Sequence, residues 1–447
     1  MKKIISAILC TALSAMVLCS CADPTVLSEK ENLSNDYTRS TDPAKSFNYN
    51  DGADTPDSYS VYANEITDFE LRLFRNYYDL SNDKNNSFVI APSNSVLQLA
   101  MLANGASEAT KYEIMNALGN DLTMEQINQC TSYFNSRMEA VALTEKSEYD
   151  ELAGKEIETD KSNYIKFDTN FFFNDITDIK KSFLQTNASY YGADIFRFMF
   201  SDDNALLKLN NHFSEFTESN TLDKLDENDY LISITASDIN DTWLEKYAES
   251  DIEKGIFKST NGERTVNFMS SSETYVKTDK AQGIIKYTAS NPLKLMLVMP
   301  NEDISLEEYI ADFNNLEYNK LFESIDITKR VTAKIPEFSV DSSDSAISLS
   351  EALTKSGLYS LFTDVAGFSE ISHNKELELN EMYEISPDIT VNAAGIGGTK
   401  ENSGKPELKE HIKADTKTDS TVEFNRPFIF VLLDNESNIP VYIGTNA

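Results

Sequence analysis

Residues 424–447 read FNRPFIFVLLDNESNIPVYIGTNA, the last stretch of a 447-residue chain. Two apolar runs, Pro427 to Leu433 and Ile439 to Ile443, flank the polar Asp434 to Asn438. Unbroken apolar runs of this length suit strands covered on both faces, and the polar break suits a turn. The pattern predicts a buried hairpin. Further upstream, Leu293 to Met299 is another short apolar run, stopped by Pro300. Val331, Ala333 and Ile335 alternate with Thr332, Lys334 and Pro336, the pattern of a half-buried strand. Leu349 and Leu353 predict one more helix, ending near Gly357.

The first half of the chain has a different period. Ile66, Phe69, Leu73 and Tyr77 recur at spacings of three and four, which places them on one helix face. Val96 to Leu102 predicts a nearly all-apolar helix that stops at Gly105. Thr110 precedes Glu113 by three, the spacing of a capping box, with Ile114, Met115 and Leu118 as the buried face and Gly119 as the stop. No internal repeat is present. Helices in the first half and strands in the second predict one α+β domain over residues 61–447, with a large sheet and a C-terminal buried hairpin.

Composition narrows the partners. With 39 basic against 73 acidic residues the net charge is −34. Such a surface repels nucleic acid and anionic headgroups. Lys2 and Lys3 precede a mostly apolar run, Ile4 to Leu18, of signal-peptide length. The run ends in Leu18-Cys19-Ser20-Cys21, which resembles a bacterial lipoprotein cleavage site with Cys21 as the lipidated residue; an ordinary signal peptide cut nearby is the alternative. Residues 1–21 are therefore read as an export signal. The protein is expected outside the cytoplasm, facing the extracellular space or periplasm, on a membrane only through its lipid. Residues 22–60 are rich in Ser, Asn, Asp, Thr and Pro and read as a flexible tether. Of Cys10, Cys19, Cys21 and Cys130, only Cys130 would then remain as a thiol, so packing rather than disulfides must hold the fold.

The residues for catalysis are missing. His212, His373 and His411 have no metal spacing with a second His or Cys, and read as lone surface histidines. Gly395, Gly397 and Gly398 lack the strand, helix and lysine of a phosphate loop. The carboxylates are scattered. No enzyme activity, metal or cofactor is expected.

Several segments resemble the serpin family, in that family's order. They are Ala91-Pro92-Ser93-Asn94-Ser95 with Met101 to Ala106, Asn170-Phe171-Phe172-Phe173, Tyr190-Tyr191-Gly192-Ala193, Trp243, and Leu295 to Pro300 followed by Ile304 to Glu308. Ile335-Pro336-Glu337-Phe338, Gly357-Leu358, Phe368 to Ser372 and Phe424-Asn425-Arg426-Pro427-Phe428 complete the set, across about residues 61–447. The resemblance implies a monomer that exposes a long reactive loop, here within residues 387–423, to a protease. A target, of the serine class with cysteine proteases second, cuts the loop and forms an acyl-enzyme. The loop then enters the central sheet and traps it.

By the same resemblance Ile389-Thr390-Val391-Asn392-Ala393-Ala394-Gly395 is the hinge of that loop, where serpin inhibitors usually carry Gly, Thr and a run of Ala. Ile389 then stands in the place of Gly, and Asn392 in the place of an Ala. Alternation would put Thr390, Asn392, Ala394, Ile396, Gly398 and Lys400 on the inward face. The polar residues under the loop's entry gate correspond to Ala91, Asn94, Thr235 and Leu379, so much of that network is replaced. These departures keep a second reading open, a non-inhibitory surface binding protein. Counting thirteen residues from Thr390 puts the reactive bond at Ser403-Gly404, with Lys400 and Lys405 as neighbouring candidates. The loop is long, and its excess is Lys405 to Thr418, whose lysines 405, 409, 413 and 417 fall four apart. That stretch reads as a solvated insertion or a short amphipathic helix that offers lysines to an acidic partner.

Overall fold

The computed structural model of the chain describes residues 23–39, 58–81, 84–143, 148–150, 155–157, 163–217, 221–290, 292–340, 346–385, 387–397 and 420–447. Cys21, Lys400, Ser403, Gly404, Lys405 and the 405–418 insertion lie outside them.

Nine α-helices are formed among these residues: α1 (Ser58–Leu80), α2 (Pro92–Ala103), α3 (Glu108–Leu118), α4 (Met124–Leu143), α5 (Lys181–Tyr191), α6 (Ala205–His212), α7 (Leu306–Asp312), α8 (Asn315–Glu323) and α9 (Ser350–Lys355). Ile66, Phe69 and Leu73 of α1 are buried, as their spacing requires. α2 is buried along its whole length, with Pro92 in its first turn, where a missing N–H costs nothing. α3 differs from expectation at its start. Ser107 is its N-cap, and Thr110 lies inside the helix, accepting from the Gly367 N–H at 2.9 Å. Glu113 reaches across to the Ser360 N–H at 2.9 Å instead of back to a cap. Capping boxes form instead at the head of α7, Ser305 with Glu308, and at the head of α4, Thr123 with Gln126.

The strands are β1 (Phe88–Ile90), β2 (Glu148–Asp150), β3 (Lys155–Ile157), β4 (Tyr164–Asn174), β5 (Asp194–Phe198), β6 (Leu231–Thr242), β7 (Ile252–Ser259), β8 (Gly262–Lys277), β9 (Ala281–Tyr287), β10 (Leu293–Pro300), β11 (Arg330–Pro336), β12 (Phe338–Val340), β13 (Ile347–Ser348), β14 (Leu379–Ile385), β15 (Ile389–Val391), β16 (Gly395–Gly397), β17 (Thr421–Glu423), β18 (Phe428–Asp434) and β19 (Pro440–Asn446). One sheet runs β1-β19-β18-β10-β9-β8-β11-β17, with β7 beside β8. The predicted C-terminal hairpin, β18 and β19, lies inside it between β1 and β10, with every residue of both strands buried. The other, central sheet has β5 and β4 on one side of β6 and β14, β16, β15, β12 and β13 on the other. β2 and β3 form a separate pair.

β6 decides the layering. Ile232, Ile234 and Ala236 face an outer cluster that contains Phe172, Phe196, Phe198, Leu209 and Phe213. The alternate residues Ser233 and Ser237 face α2, where Gln98 donates to the Ser233 hydroxyl at 2.9 Å and Asn94 to the Ser237 hydroxyl at 3.1 Å. His212 belongs to this outer layer and is no lone surface residue. Its ring meets Phe172, Phe196 and Phe213 edge-on, and Nε2 lies 3.3 Å from Asp168. His373 is exposed and pairs with Asp178. Cys130 is a buried free thiol.

The expected tether is, in its described part, a docked segment. Residues 32 and 196 form an antiparallel bridge on β5, and Leu33–Asp36 is a 3-10 turn with Ser34 fully buried. The Ser34 hydroxyl accepts from the Ile195 N–H at 3.1 Å, and the Glu31 carbonyl from the Arg197 N–H at 2.8 Å. Glu31 pairs with Lys208 of α6 at 2.7 Å, and Arg39 with Asp194. The polar residues that read as tether are used as hydrogen-bonding groups along a sheet edge.

Candidate functional site: the loop hinge and its slot in the central sheet

β14 runs parallel to β6 and pairs Leu379 with Leu231 at one end and Ile385 with Ala236 at the other. Past Pro387 the chain continues as β15 beside β12, with Thr390 opposite Ser339. It then reverses. β16 returns antiparallel and bonds both neighbours. Gly397 lies opposite Thr390 and Ile396 opposite Val391; on the other side Gly395, Ile396 and Gly397 face Thr242, Asp241 and Asn240. Three residues at the start of the loop thus occupy an interior strand position at one end of the central sheet.

Asn392 builds the reversal. Its side-chain oxygen accepts from the Ala394 N–H at 2.8 Å and the Gly395 N–H at 3.3 Å, and its own N–H donates to the Gly395 carbonyl at 3.1 Å. This is the local bonding that makes Asn a turn residue. Gly395 is required by close approach: a Cβ there would lie 2.0 Å from the Asp241 carbonyl oxygen and 2.8 Å from the Thr242 Cα. Ile396, next in line, is fully buried in the main core. The whole of Ile389 to Gly395 is therefore brought together, but not as one extended strand. The turn breaks the predicted alternation, and the glycine that opens the returning strand is Gly395, five residues beyond Thr390. Ile389 is an ordinary buried strand residue.

Trp243, just past β6, holds the reversal from outside. Its indole N–H donates to the Asn392 carbonyl at 2.7 Å. Lys286 lies under it, 5.1 Å from the Trp243 ring and 4.4 Å from the Tyr247 ring, and donates to Glu273 at 2.8 Å. Burial favours the neutral amine, but Tyr247 and Glu273 outweigh it and hold Lys286 above the usual lysine range. Sequence reading passed over this cluster, because Lys286 and Glu273 sit on separate strands and neither interrupts a visible motif.

Below the returning strand, β6 meets β14 directly; neither ladder includes residues 237–239. This is the line along which a longer inserted strand must part the sheet. The gate residues differ from expectation. Thr235 is present and bonds Thr169 at 2.7 Å. Leu379, however, sits at the far end of β14, and the residue opposite Thr235 is Glu384. The irregularity between Leu379 and Glu381 shifts the register and hides this pairing from sequence. Glu384 is fully buried, and its carboxylate accepts from the Ala91 N–H at 2.9 Å. Burial pushes its pKa up to about 8, opposed only by that bond.

Comparison with known proteins agrees with this architecture. The family model described as "Serpin (serine protease inhibitor)" matches residues 64–447. The chain is a serpin. Among curated relatives it is similar to the human alpha-1-antitrypsin-related protein, at 22% identity over 389 residues, 85% of each chain. It is likewise similar to the human plasma serine protease inhibitor, at 21% identity, with 82% of this chain and 86% of the relative covered. Among solved structures, the thermophilic serpin tengpin in its native state aligns with a TM-score of 0.74 at 26% identity, covering 93% of this serpin and 98% of tengpin. The fold alone is shared with thyroxine-binding globulin in complex with thyroxine, at 17% identity and a TM-score of 0.67, covering 86% of this serpin and 98% of that chain. Serpins are in general protease inhibitors and not catalysts. Among the described residues of this one, no cluster of His, Cys, Asp and Glu is placed to hold a metal. No described helix is long and apolar enough to cross a membrane.

Proposed function

We propose that this serpin inhibits extracellular serine proteases, with cysteine proteases as a second target class, and that it works while tethered to a membrane through a lipid on Cys21. The protease's nucleophile adds to a loop carbonyl, the peptide C–N bond breaks, and the new amine leaves with a proton. The loop residue stays on the enzyme as an ester or thioester. The freed loop then extends β16 down the sheet between β6 and β14. Insertion competes with hydrolysis of the acyl-enzyme, and each added residue gains ladder bonds to a strand on either side.

The observation that carries this reading is β16 itself: the first three loop residues already lie between β15 and β6, in register with both. An entering strand needs no search for alignment. Partners other than the protease, including nucleic acid, are not part of the proposal, and the working unit is a monomer. The test is incubation of the purified domain with a panel of serine and cysteine proteases, followed by a search for an SDS-resistant covalent complex. Cleavage of the loop by every enzyme, with no complex, overturns the proposal. It would favour the second reading, a non-inhibitory binding protein, for which Ile396 speaks: a bulky β-branched side chain follows Gly395 in the inserting strand, where the resemblance implies small residues.

A further inference from the structure

The hold of the sheet on the loop hinge leads back to one ammonium group. Lys286, on β9, lies across from Glu273, on β8, one step beyond the last bonded pair of these strands, Thr274 with Ile285. The two side chains are 1% and 4% exposed and meet at 2.8 Å. Further contacts of the ammonium fall on residues 243–247, the stretch that leaves β6: the Trp243 ring at 5.1 Å, the Glu245 carbonyl at 3.4 Å and the Tyr247 ring at 4.4 Å. Tyr247 is held in turn, its hydroxyl 3.0 Å from the Ser271 hydroxyl on β8. Beyond the bridge of Trp243 with Thr288 this stretch forms no helix or strand, so side chains set its course.

What the ammonium fixes is the direction of one N–H. The Trp243 indole donates to the Asn392 carbonyl at 2.7 Å, and the Trp243 backbone N–H reaches the Ala394 carbonyl at 3.4 Å. Both bonds end on the reversal from which β16 starts. A cation against the face of an indole draws on its ring electrons, and in a dry site this makes the N–H a better donor. A buried ion pair adds little stability over neutral groups of the same shape, because desolvation offsets the attraction. Holding a ring and aiming its N–H is something that neutral groups of that shape would do less well.

We propose that Lys286, held by Glu273, is a positioning residue for the loop: it fixes the Trp243 indole in the orientation that keeps β16 in the sheet, and so sets the aligned start from which insertion proceeds. The inference deepens the insertion reading above and rests on it for the effect on trapping; the hold on the hinge is a separate matter and is tested separately.

The experiment uses the full chain and three variants. Lys286→Met with Glu273→Gln removes both charges at nearly constant shape, so that neither partner is left buried and ionised. Trp243→Phe keeps a ring beside the ammonium and removes the N–H. The third variant combines all three changes. Hydrogen–deuterium exchange is read by mass spectrometry over residues 389–397, which contain the hinge, and over residues 440–446 of β19 as a reference for general loosening. The double variant and Trp243→Phe should each exchange about tenfold faster than the parent over 389–397 and at the parent's rate over 440–446. The triple variant should be no faster than the faster of these two, because both act through one bond. An unchanged hinge in the double variant, equal acceleration of both segments, or additive effects in the triple variant would overturn the assignment. With a protease that gives the SDS-resistant complex, the double variant should also release several-fold more cleaved serpin for each complex formed. An unchanged yield of complex from a loosened hinge refutes the role in trapping. If no protease gives a complex, the insertion reading fails, while the exchange rates still decide whether Lys286 holds the hinge.

Discussion

On the inhibitory reading proposed above, the register of β16 predicts a position for the reactive bond. Because the returning strand starts at Gly395 rather than Thr390, the slot beside β6 is filled only when the loop has entered as far as Pro406, opposite Leu231. About three more residues must remain outside, stretched through the cleft of the attached protease. That moves the expected bond from Ser403-Gly404 to Lys409-Glu410. Residues 398–419 contain no arginine, so Lys→Arg changes at 400, 409, 413 and 417 each create a single site for an arginine-specific serine protease, whereas Lys405 is followed by Pro406, which blocks such an enzyme. A cut after residue 413 adds four residues of slack, about 13 Å, and after 417 about 26 Å. A cut after residue 405 leaves about four strand places, again about 13 Å, unfilled, and a cut after 400 leaves more. The assay is the partition ratio, cleaved serpin released per complex formed. It should be lowest for Lys409→Arg and rise at least tenfold by Lys417→Arg, a difference of about 1.4 kcal/mol between the competing barriers. A lower ratio for the variant at 400, 413 or 417 than for the variant at 409 would refute the register argument.

Three further outcomes are expected. Gly395→Val places side-chain carbon against the Asp241 carbonyl and should expel β16; Trp243, the only tryptophan, bonds the reversal and should report this as a shift in fluorescence, together with faster proteolysis near residue 395. The folded-state pKa of Glu384 is raised to about 8, so the protonated acid contributes stability that is full below about pH 4.5 and is lost as pH rises through about 8. Urea unfolding across that window should show a steeper decline in the parent than in Glu384→Gln, the two curves diverging by up to ~4–5 kcal/mol while the raised Glu70 and Asp229 contribute equally to both; parallel curves would refute the assignment. Cys21→Ala should move the protein from the membrane fraction to the medium, and an unchanged distribution would rule out the lipid anchor.

What sequence made legible was local. The spacing of Ile66, Phe69 and Leu73, the alternation of Val331, Ala333 and Ile335, and the paired runs of the C-terminal hairpin each carry their burial in their own period, and each forms as read. The hinge depends on a distant partner. Thr390 to Gly395 is a run of mostly small residues that accepts more than one register, and the choice is made by contact of Gly395 with Asp241, some 150 positions earlier. The Asn392 to Gly395 spacing was a usable turn signal, but it was outweighed by the family's Gly-Thr-Ala pattern. Glu384 was missed for a related reason. A parallel ladder with an irregularity does not show which residue of β14 meets Thr235. The segment from Asp23 to Arg39 was misread because polar composition says only that a stretch has no apolar face. It does not say that Asn32, Ser34 and Glu31 have no edge strand to bind.

That segment changes how the molecule would stand on a surface. A 39-residue free leash, residues 22–60, would let the body wander through a shell of about 34 Å in radius and tumble within it. With residues 31–34 bonded along β5 and Thr25 and Glu31 fastened to α6, an attachment at Cys21 would sit four residues from the first of these contacts. On the lipid-anchor reading proposed above, the flank that carries β5 would lie nearest the bilayer and give the molecule a fixed compass bearing: approaching proteases would meet it from one side, at one height, instead of at the end of a swinging chain.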